Sequence, residues 1–303
     1  WNRNPQPTSF TESHDAFTIG MANVIASKKM GNVGFTVDLA VGPRAETANG
    51  YSGTTLSAIK QLFVTYSPIE PLTFTLGNFS TFIGYELINP GDNIHYSTSY
   101  LFSNGPFYHT GLSATYAFNN SLSLLIGVFN DTDEKIDVNK GKHLGTQLAY
   151  TKDRGSLFLN YLTGRDNDEP DQEIIGHQFD LTGSLDLLDQ WGLGLNLSYK
   201  YNQSNNNTDQ NWFGAAIYTR YELNQLLTLG LRGEYLSDPD EIIFETRDAR
   251  IFAFTFSANI RYKGLTLLPE FRIDLSDQAL FLDQDNLPVK SSPSILSALI
   301  YTF

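Results

Sequence analysis

Residues able to do chemistry are few in this chain. Its 303 residues include no cysteine, which removes a thiolate nucleophile, a thiolate zinc site and a disulfide framework. The five histidines are His14, His95, His109, His143 and His177. None forms a His-Glu-x-x-His pair, and no G-x-S-x-G elbow occurs. His95 and His109 alone lie where a base at the rim of a larger structure could meet an oriented partner. A hydrolase built there would lose ester or peptide cleavage on His109→Ala. The plainer expectation is that His109, two residues before Gly111, faces inward at a strand top and hydrogen-bonds to loop backbone. No catalytic residue and no cofactor is assigned.

Acidic runs are the next candidates: Asp131-Thr132-Asp133-Glu134, Asp166-Asn167-Asp168-Glu169 and Asp238-Pro239-Asp240-Glu241. Calcium takes about six to eight oxygen ligands, yet none of these runs has the D-x-[DN]-x-[DN]-G spacing with its later Glu. Asp166 to Glu169 comes nearest. No metal site is assigned, and the runs are expected to be solvated loop charge. They supply much of the formal net charge of −13. That charge argues against nucleic acid as a partner, because phosphate binding needs clustered Lys and Arg.

A third set of ionisable groups takes its meaning from the elements that carry it. From Trp191, the residues Trp191, Leu193, Leu195, Leu197, Tyr199 and Tyr201 share one face, and Gly192, Gly194, Asn196, Ser198 and Lys200 the other. That period of two is a strand with one greasy and one wet side. The same pattern runs through Phe252 to Tyr262 and Leu265 to Asp274. It directs Lys200, Arg220, Glu222, Arg232, Glu234, Arg261, Glu270, Arg272 and Asp274 inward from consecutive strands. In a narrow dry interior these charges would have to pair. In a wet lumen they would line a pore and sort solutes by charge.

Composition agrees with an all-β reading. Aromatic residues reach 13%, with 21 Phe and 16 Tyr, and they suit a pleated surface. No apolar stretch approaches the roughly 20 residues of a membrane helix, and mean hydropathy is −0.23. A membrane barrel would show only short alternating segments of about 10 residues each. Soluble sandwich strands alternate too but run about 5 to 6 residues, whereas the runs here are longer.

Fifteen segments can be placed, at about 15–27, 31–42, 56–68, 71–82, 107–118, 121–130, 143–152, 154–164, 176–187, 190–202, 211–223, 226–237, 249–262, 264–275 and 293–303. Their connections alternate strictly. Lys28 to Met30, Ser67 to Glu70, Asn119 to Asn120, Asp153, Leu188 to Asp189, Asn224 to Gln225 and Lys263 are tight, and the others are longer. Short periplasmic turns against long outer loops are the asymmetry of outer-membrane barrels. If the last strand ends in the periplasm, parity puts Trp1 to Ser13 outside and implies a further strand upstream of Trp1. The expectation is a single barrel domain over 1–303 with about sixteen strands, or fourteen if one hairpin is miscounted. The last strand places Leu299, Tyr301 and Phe303 on one face. A terminal aromatic there resembles the signal read by the outer-membrane assembly machinery.

The segment Gly77 to Gly111, GNFSTFIGYELINPGDNIHYSTSYLFSNGPFYHTG, carries a family resemblance. Gly84-Tyr85-Glu86, the run Asn93 to Tyr100, and Pro106 to Gly111 together resemble the OmpL-like β-barrel porin family of Bacteroidota outer membranes. The likeness extends more faintly through Leu56 to Tyr66 and Gly31 to Asp38. It implies an outer-membrane pore set in lipid and lipopolysaccharide, and names no substrate.

Within that segment, 83–106 is the longest connection between strong strands in the first half, and loops of that length are usually functional or packed on themselves. Folded inward it would narrow the lumen, with Tyr96, Ser97, Ser99, Tyr100 and Phe102 against the wall and Glu86, Asp92 and His95 near the opening, and His109 at the adjoining strand top belongs to the same constriction. Folded outward it would form a lid. The function expected is passive diffusion of small hydrophilic solutes through a charged lumen. The alternative is a closed accessory barrel that serves other outer-membrane proteins.

Overall fold

The computed structural model describes residues 8–11, 16–137, 141–165, 174–205 and 208–303. His14, Trp1 to Pro7 and the run Asp166 to Glu169 lie outside the described residues. The strands are β1 (Ala22–Met30), β2 (Val33–Val41), β3 (Ile59–Ile69), β4 (Leu72–Ser80), β5 (Tyr108–Ala117), β6 (Leu122–Phe129), β7 (His143–Lys152) and β8 (Gly155–Arg165). They continue as β9 (Ile174–Leu188), β10 (Trp191–Ser204), β11 (Gln210–Asn224), β12 (Leu227–Asp238), β13 (Ala249–Tyr262) and β14 (Leu265–Ser276). A two-residue hairpin, β15 (Phe281–Leu282) with β16 (Pro288–Val289), precedes β17 (Ser291–Tyr301). Two short helices, α1 (Pro43–Asn49) and α2 (Tyr100–Ser103), sit in loops.

Fifteen strands form one antiparallel sheet in chain order, with β1 and β17 as its edges. The outward face of the sheet is apolar, while Phe129, Trp212, Leu236 and Ile251 are buried on the inner side. Phe252, Phe254, Phe256 and Ile260 on β13, and Leu265, Leu267, Phe271 and Leu275 on β14, are all exposed. The intervening Ala253, Thr255, Ser257, Glu270, Arg272 and Asp274 are buried. Continuous exposed apolar surface of this extent belongs against lipid.

The sheet is curled. Asn89 accepts from Lys60 of β3 at 2.5 Å, while two residues on, a Cβ at Gly91 would lie 3.6 Å from Ile300 of β17. On a flat sheet β3 and β17 would stand roughly 55 Å apart at ~4.8 Å per strand. Two residues span only about 7 Å, so the two ends of the sheet must approach around a barrel axis.

One expectation needs correction, and two further features carry no signal in the sequence pattern. The first strand was placed at 15–27 with its turn at Lys28 to Met30, but β1 runs on through Met30 and the turn is Gly31-Asn32. Gly31 has φ 58°, the left-handed conformation that a two-residue hairpin requires. The connection before the last strand contains the β15–β16 hairpin. Lys60 has the sequence parity of the outward Leu62 and Val64, yet it is 4% exposed. Asp38 pairs with Gln61 and Leu39 with Ile59, so a bulge leaves Lys60 unmatched and turns it inward. There it meets Asp38 at 2.9 Å.

Candidate functional site

The connection from β4 to β5, residues 81–107, lies along the inner face of the sheet, and both of its ends are anchored. At its start the Thr81 hydroxyl shares a hydrogen bond with His109 Nε2 at 2.9 Å and accepts from the Ile83 N–H at 3.0 Å. His109 is stacked between Phe82 and Phe129, centroids 4.8 and 4.7 Å away. Its polar partner is therefore a loop hydroxyl rather than the loop backbone expected from sequence. Further on, the Ser99 hydroxyl caps α2 by accepting from the Phe102 N–H at 3.1 Å.

The middle of the loop is held by charge from β12 and β14. Glu270 accepts from the backbone N–H groups of Tyr96 and Ser97 at 2.8 and 3.1 Å. Glu234 accepts from the Tyr100 N–H at 2.8 Å. Arg232 donates to the Ser97 carbonyl at 2.8 Å and Arg272 to the Thr98 carbonyl at 2.7 Å. Glu86, from the loop itself, meets Arg232 at 2.6 Å and accepts from the Ser99 N–H at 2.7 Å, tying the two limbs together. Asp274 completes the array on Arg272 at 2.8 Å. Irregular backbone can be buried only if its polar groups find partners. These side chains supply them, and hydrogen bonds to charged groups contribute about 1.5–3 kcal/mol each.

Elsewhere the loop is held by other means. The buried Arg44 of α1 donates to the Ile88 carbonyl at 2.7 Å and the Tyr96 carbonyl at 3.1 Å, with Phe10 beneath it at 4.1 Å. Burial lowers its guanidinium to a pKa of about 10, so it remains a cation at neutral pH. On β9, Asp180 accepts from the Gly84 N–H at 3.0 Å and from Asn160 and Asn196 at 2.8 and 2.6 Å.

The nine charges expected to face inward thus divide by height. Arg232, Glu234, Glu270, Arg272 and Asp274 are 0–4% exposed and lie under the loop. Arg220 and Arg261 are exposed and Glu222 is half-buried near the short-turn ends of their strands, and Lys200 is half-buried near the long-loop end of β10. Within the loop, Glu86, His95 and Tyr100 are buried, Tyr96 is half-buried, and Asp92 is exposed and accepts from Asn89 at 3.0 Å. Alternation did not reveal Arg44, Lys60 or Asp180 as anchors. Asp180 shares the inward parity of Gln178 and Thr182, which could have marked it, whereas α1 and the Lys60 bulge leave no period-two signal.

The acidic runs were expected to be solvated, but two of them cap backbone. Asp238 accepts from the N–H groups of Ile242, Ile243 and Phe244. Asp133 accepts from those of Phe107 and Tyr108 at 2.7 and 3.0 Å, pinning the far end of the loop. Beside it, Glu134 bonds the Tyr51 hydroxyl, and Lys135 donates to the Asn49 carbonyl and lies 4.0 Å over the Tyr108 ring. Among the described residues no group of three potential metal ligands converges.

Burial raises Asp133 to a pKa of about 7 and lowers Lys135 to about 8. The signs set a pH profile. Docked Asp133 holds its proton more tightly than an exposed carboxylate, so docking weakens as pH rises from the ordinary carboxylate range to about 7. Docked Lys135 releases its proton more readily, so docking strengthens again above about pH 8. Protection of the Phe107 and Tyr108 amides from hydrogen exchange, corrected for intrinsic rate, is expected to be lowest near pH 7–8. It should rise toward pH 5 by at most about tenfold per unit. Asp133→Asn should abolish the acid limb, and an acid limb that persists in that variant would refute the assignment.

Comparison with known proteins agrees with this architecture. No curated sequence matches the chain. Among solved structures it is similar to an anion-selective porin from Comamonas acidovorans, with TM-score 0.67 and 11% identity over 96% of this chain and 91% of that one. It is also similar to OmpT, an outer membrane protein of Vibrio cholerae, with TM-score 0.60 and 12% identity over 94% and 90%. The outer membrane channel DcaP of Acinetobacter baumannii gives TM-score 0.60 and 12% identity over 94% and 85%. At such identities the likeness is one of fold. The family model described as "Putative beta-barrel porin-2, OmpL-like" matches residues 1–303. With its exposed apolar belt, short turns and polar inner face, the chain belongs to this OmpL-like porin family and is a transmembrane β-barrel of the outer membrane, not an enzyme.

Proposed function

We propose that this porin passes small hydrophilic solutes by passive diffusion, and that residues 83–106 form its constriction. The observation that carries the reading is the clamp itself. A loop held across the interior by buried charge and by Arg44 has a fixed position, and a fixed loop sets a fixed aperture. Glu86, His95, Tyr96 and Tyr100 serve as its structural anchors, His109 as the hinge contact, and Asp92 as an exposed charge at the opening. Arg220, Glu222 and Arg261 line the path on the short-turn side, where their field acts on solutes, and Lys200 does so on the other side. Phe303, exposed beside Tyr301, suits contact with the assembly machinery. The outer surface suits lipid and lipopolysaccharide.

One observation favours a second reading, a closed barrel accessory to other outer-membrane proteins: five of the nine inward charges are paired beneath the loop. Planar-bilayer recording separates the two. Discrete conductance steps that persist at constant voltage are expected, and a folded, reconstituted protein without steps would favour the closed barrel.

A further inference from the structure

Below the clamped loop, toward the short-turn end, two cavities of about 420 and 460 Å³ lie side by side. They share Tyr85 and Ser184 as lining residues. The Tyr85 ring stacks on Tyr218 with centroids 4.4 Å apart and planes at 24°. Its hydroxyl is set against the wall at Gly194, where a Cβ would lie 2.2 Å from it. The ring is thus held from two sides, and its backbone is fixed by the neighbouring Glu86 on Arg232. It stands as a partition.

The two compartments differ in chemistry. One presents Gln147, Ser156 and Thr182 beside Phe82 and Phe158, with no acidic or basic side chain. The other presents Asp186, Arg220, Glu222 and Arg261. There Arg220 bridges Asp186 at 2.6 Å and stands 3.6 Å from Glu222. Arg261 donates to the Thr228 hydroxyl at 3.1 Å. Fixed charges attract and orient ions more strongly than neutral dipoles do, and the second compartment supplies charges while the first supplies none. An uncharged polyhydroxy solute needs hydroxyl and amide partners and apolar faces, which the first supplies.

We infer that Tyr85 divides the lumen below the constriction into a neutral lane for uncharged polyhydroxy solutes and a charged lane for ions, and that its ring sets the width of both. The inference rests on the pore reading above. The hydroxyl adds only its contact with the wall at Gly194; the partition is the ring, which the stack on Tyr218 holds without it.

The test uses the full chain reconstituted in bilayers and liposomes, with folding checked by heat-modifiable electrophoretic mobility. Tyr85→Ala joins the two spaces, so ion conductance and liposome swelling in a disaccharide should each rise by roughly twofold. Tyr85→Phe should match the wild type. Two substitutions away from the clamp probe the lanes separately. Ser156→Trp should reduce disaccharide swelling severalfold and leave the cation-to-anion permeability ratio unchanged. Arg261→Gln should shift that ratio toward cations by about twofold and leave swelling unchanged. Wild-type steps together with an unaltered Tyr85→Ala protein would overturn the division alone. So would parallel loss of both fluxes in Ser156→Trp, a readout that stands even if Tyr85→Ala does not fold. Absence of wild-type steps would overturn the pore reading and the division with it.

Discussion

Arg232→Ala is expected to widen the channel and weaken the barrel at once. Arg232 is 1% exposed and meets Glu86 at 2.6 Å and Glu234 at 2.7 Å while donating to two loop carbonyls. Its removal leaves the buried Glu86 without its cation and Glu234 with Arg272 alone, 3.7 Å away. Breaking a buried pair in this way costs about 3–5 kcal/mol, because the remaining charge is uncompensated. The loop can relieve part of that cost by shifting away from the wall beside Glu86, while Glu270, Arg272 and Arg44 still hold the rest of it. Single-channel conductance should therefore rise at least about twofold, with a lower midpoint of urea unfolding followed by electrophoretic mobility. Arg232→Lys should fall between, because an ammonium restores charge but cannot supply a planar fork to Glu86, Ser97 and Thr98 together. A variant with wild-type conductance and wild-type midpoint would show that the clamp holds nothing.

Gly77→Ala is expected to be as damaging through geometry alone. Gly77 has φ 135° within β4, a region that L side chains rarely adopt. A Cβ there would lie 2.2 Å from the Leu62 carbonyl oxygen and 2.7 Å from the Phe63 Cα. Those atoms are backbone of β3, so they cannot move aside without opening the β3–β4 ladder. Strain and displacement together should exceed about 3 kcal/mol, read as loss of the heat-modifiable folded form. Gly233→Ala is the control. A Cβ there meets nothing closer than Phe254 at 3.9 Å, and its effect should stay within about 0.5 kcal/mol. Equal behaviour of the two variants would remove the backbone argument.

The barrel was legible because its physics repeats. Each strand solves the same problem, lipid on one side and water on the other, so Phe252 to Ile260 states on one strand what Leu265 to Leu275 states on the next. The turn alternation was legible because short connections stand out between strong strands, even where, as at Gly31-Asn32, the exact turn residues do not. The loop was harder to read. Its length and aromatic content marked 83–106 as special, and the parity of Arg232, Glu234, Glu270, Arg272 and Asp274 placed them inside. Nothing in the local sequence joins the two sets, because their partnership is made only by closing the barrel. A charge on an inward position can face water or face a loop, and alternation is blind to the difference. Lys60 was hidden for a related reason: a bulge reverses parity, and no neighbouring residue announces it.

The loop is made early in the chain and its clamp late. Tyr100 and Glu234 are 134 residues apart, and Tyr96 and Glu270 are 174. Until β12, β13 and β14 join the sheet, the loop's backbone groups have no counterparts there and remain satisfied by water. Contacts of such long sequence separation form late, after the entropy of closing the intervening chain has been overcome. The clamp on this loop is therefore complete only once its own strands and β12 to β14 stand in one sheet, whichever of them is placed first.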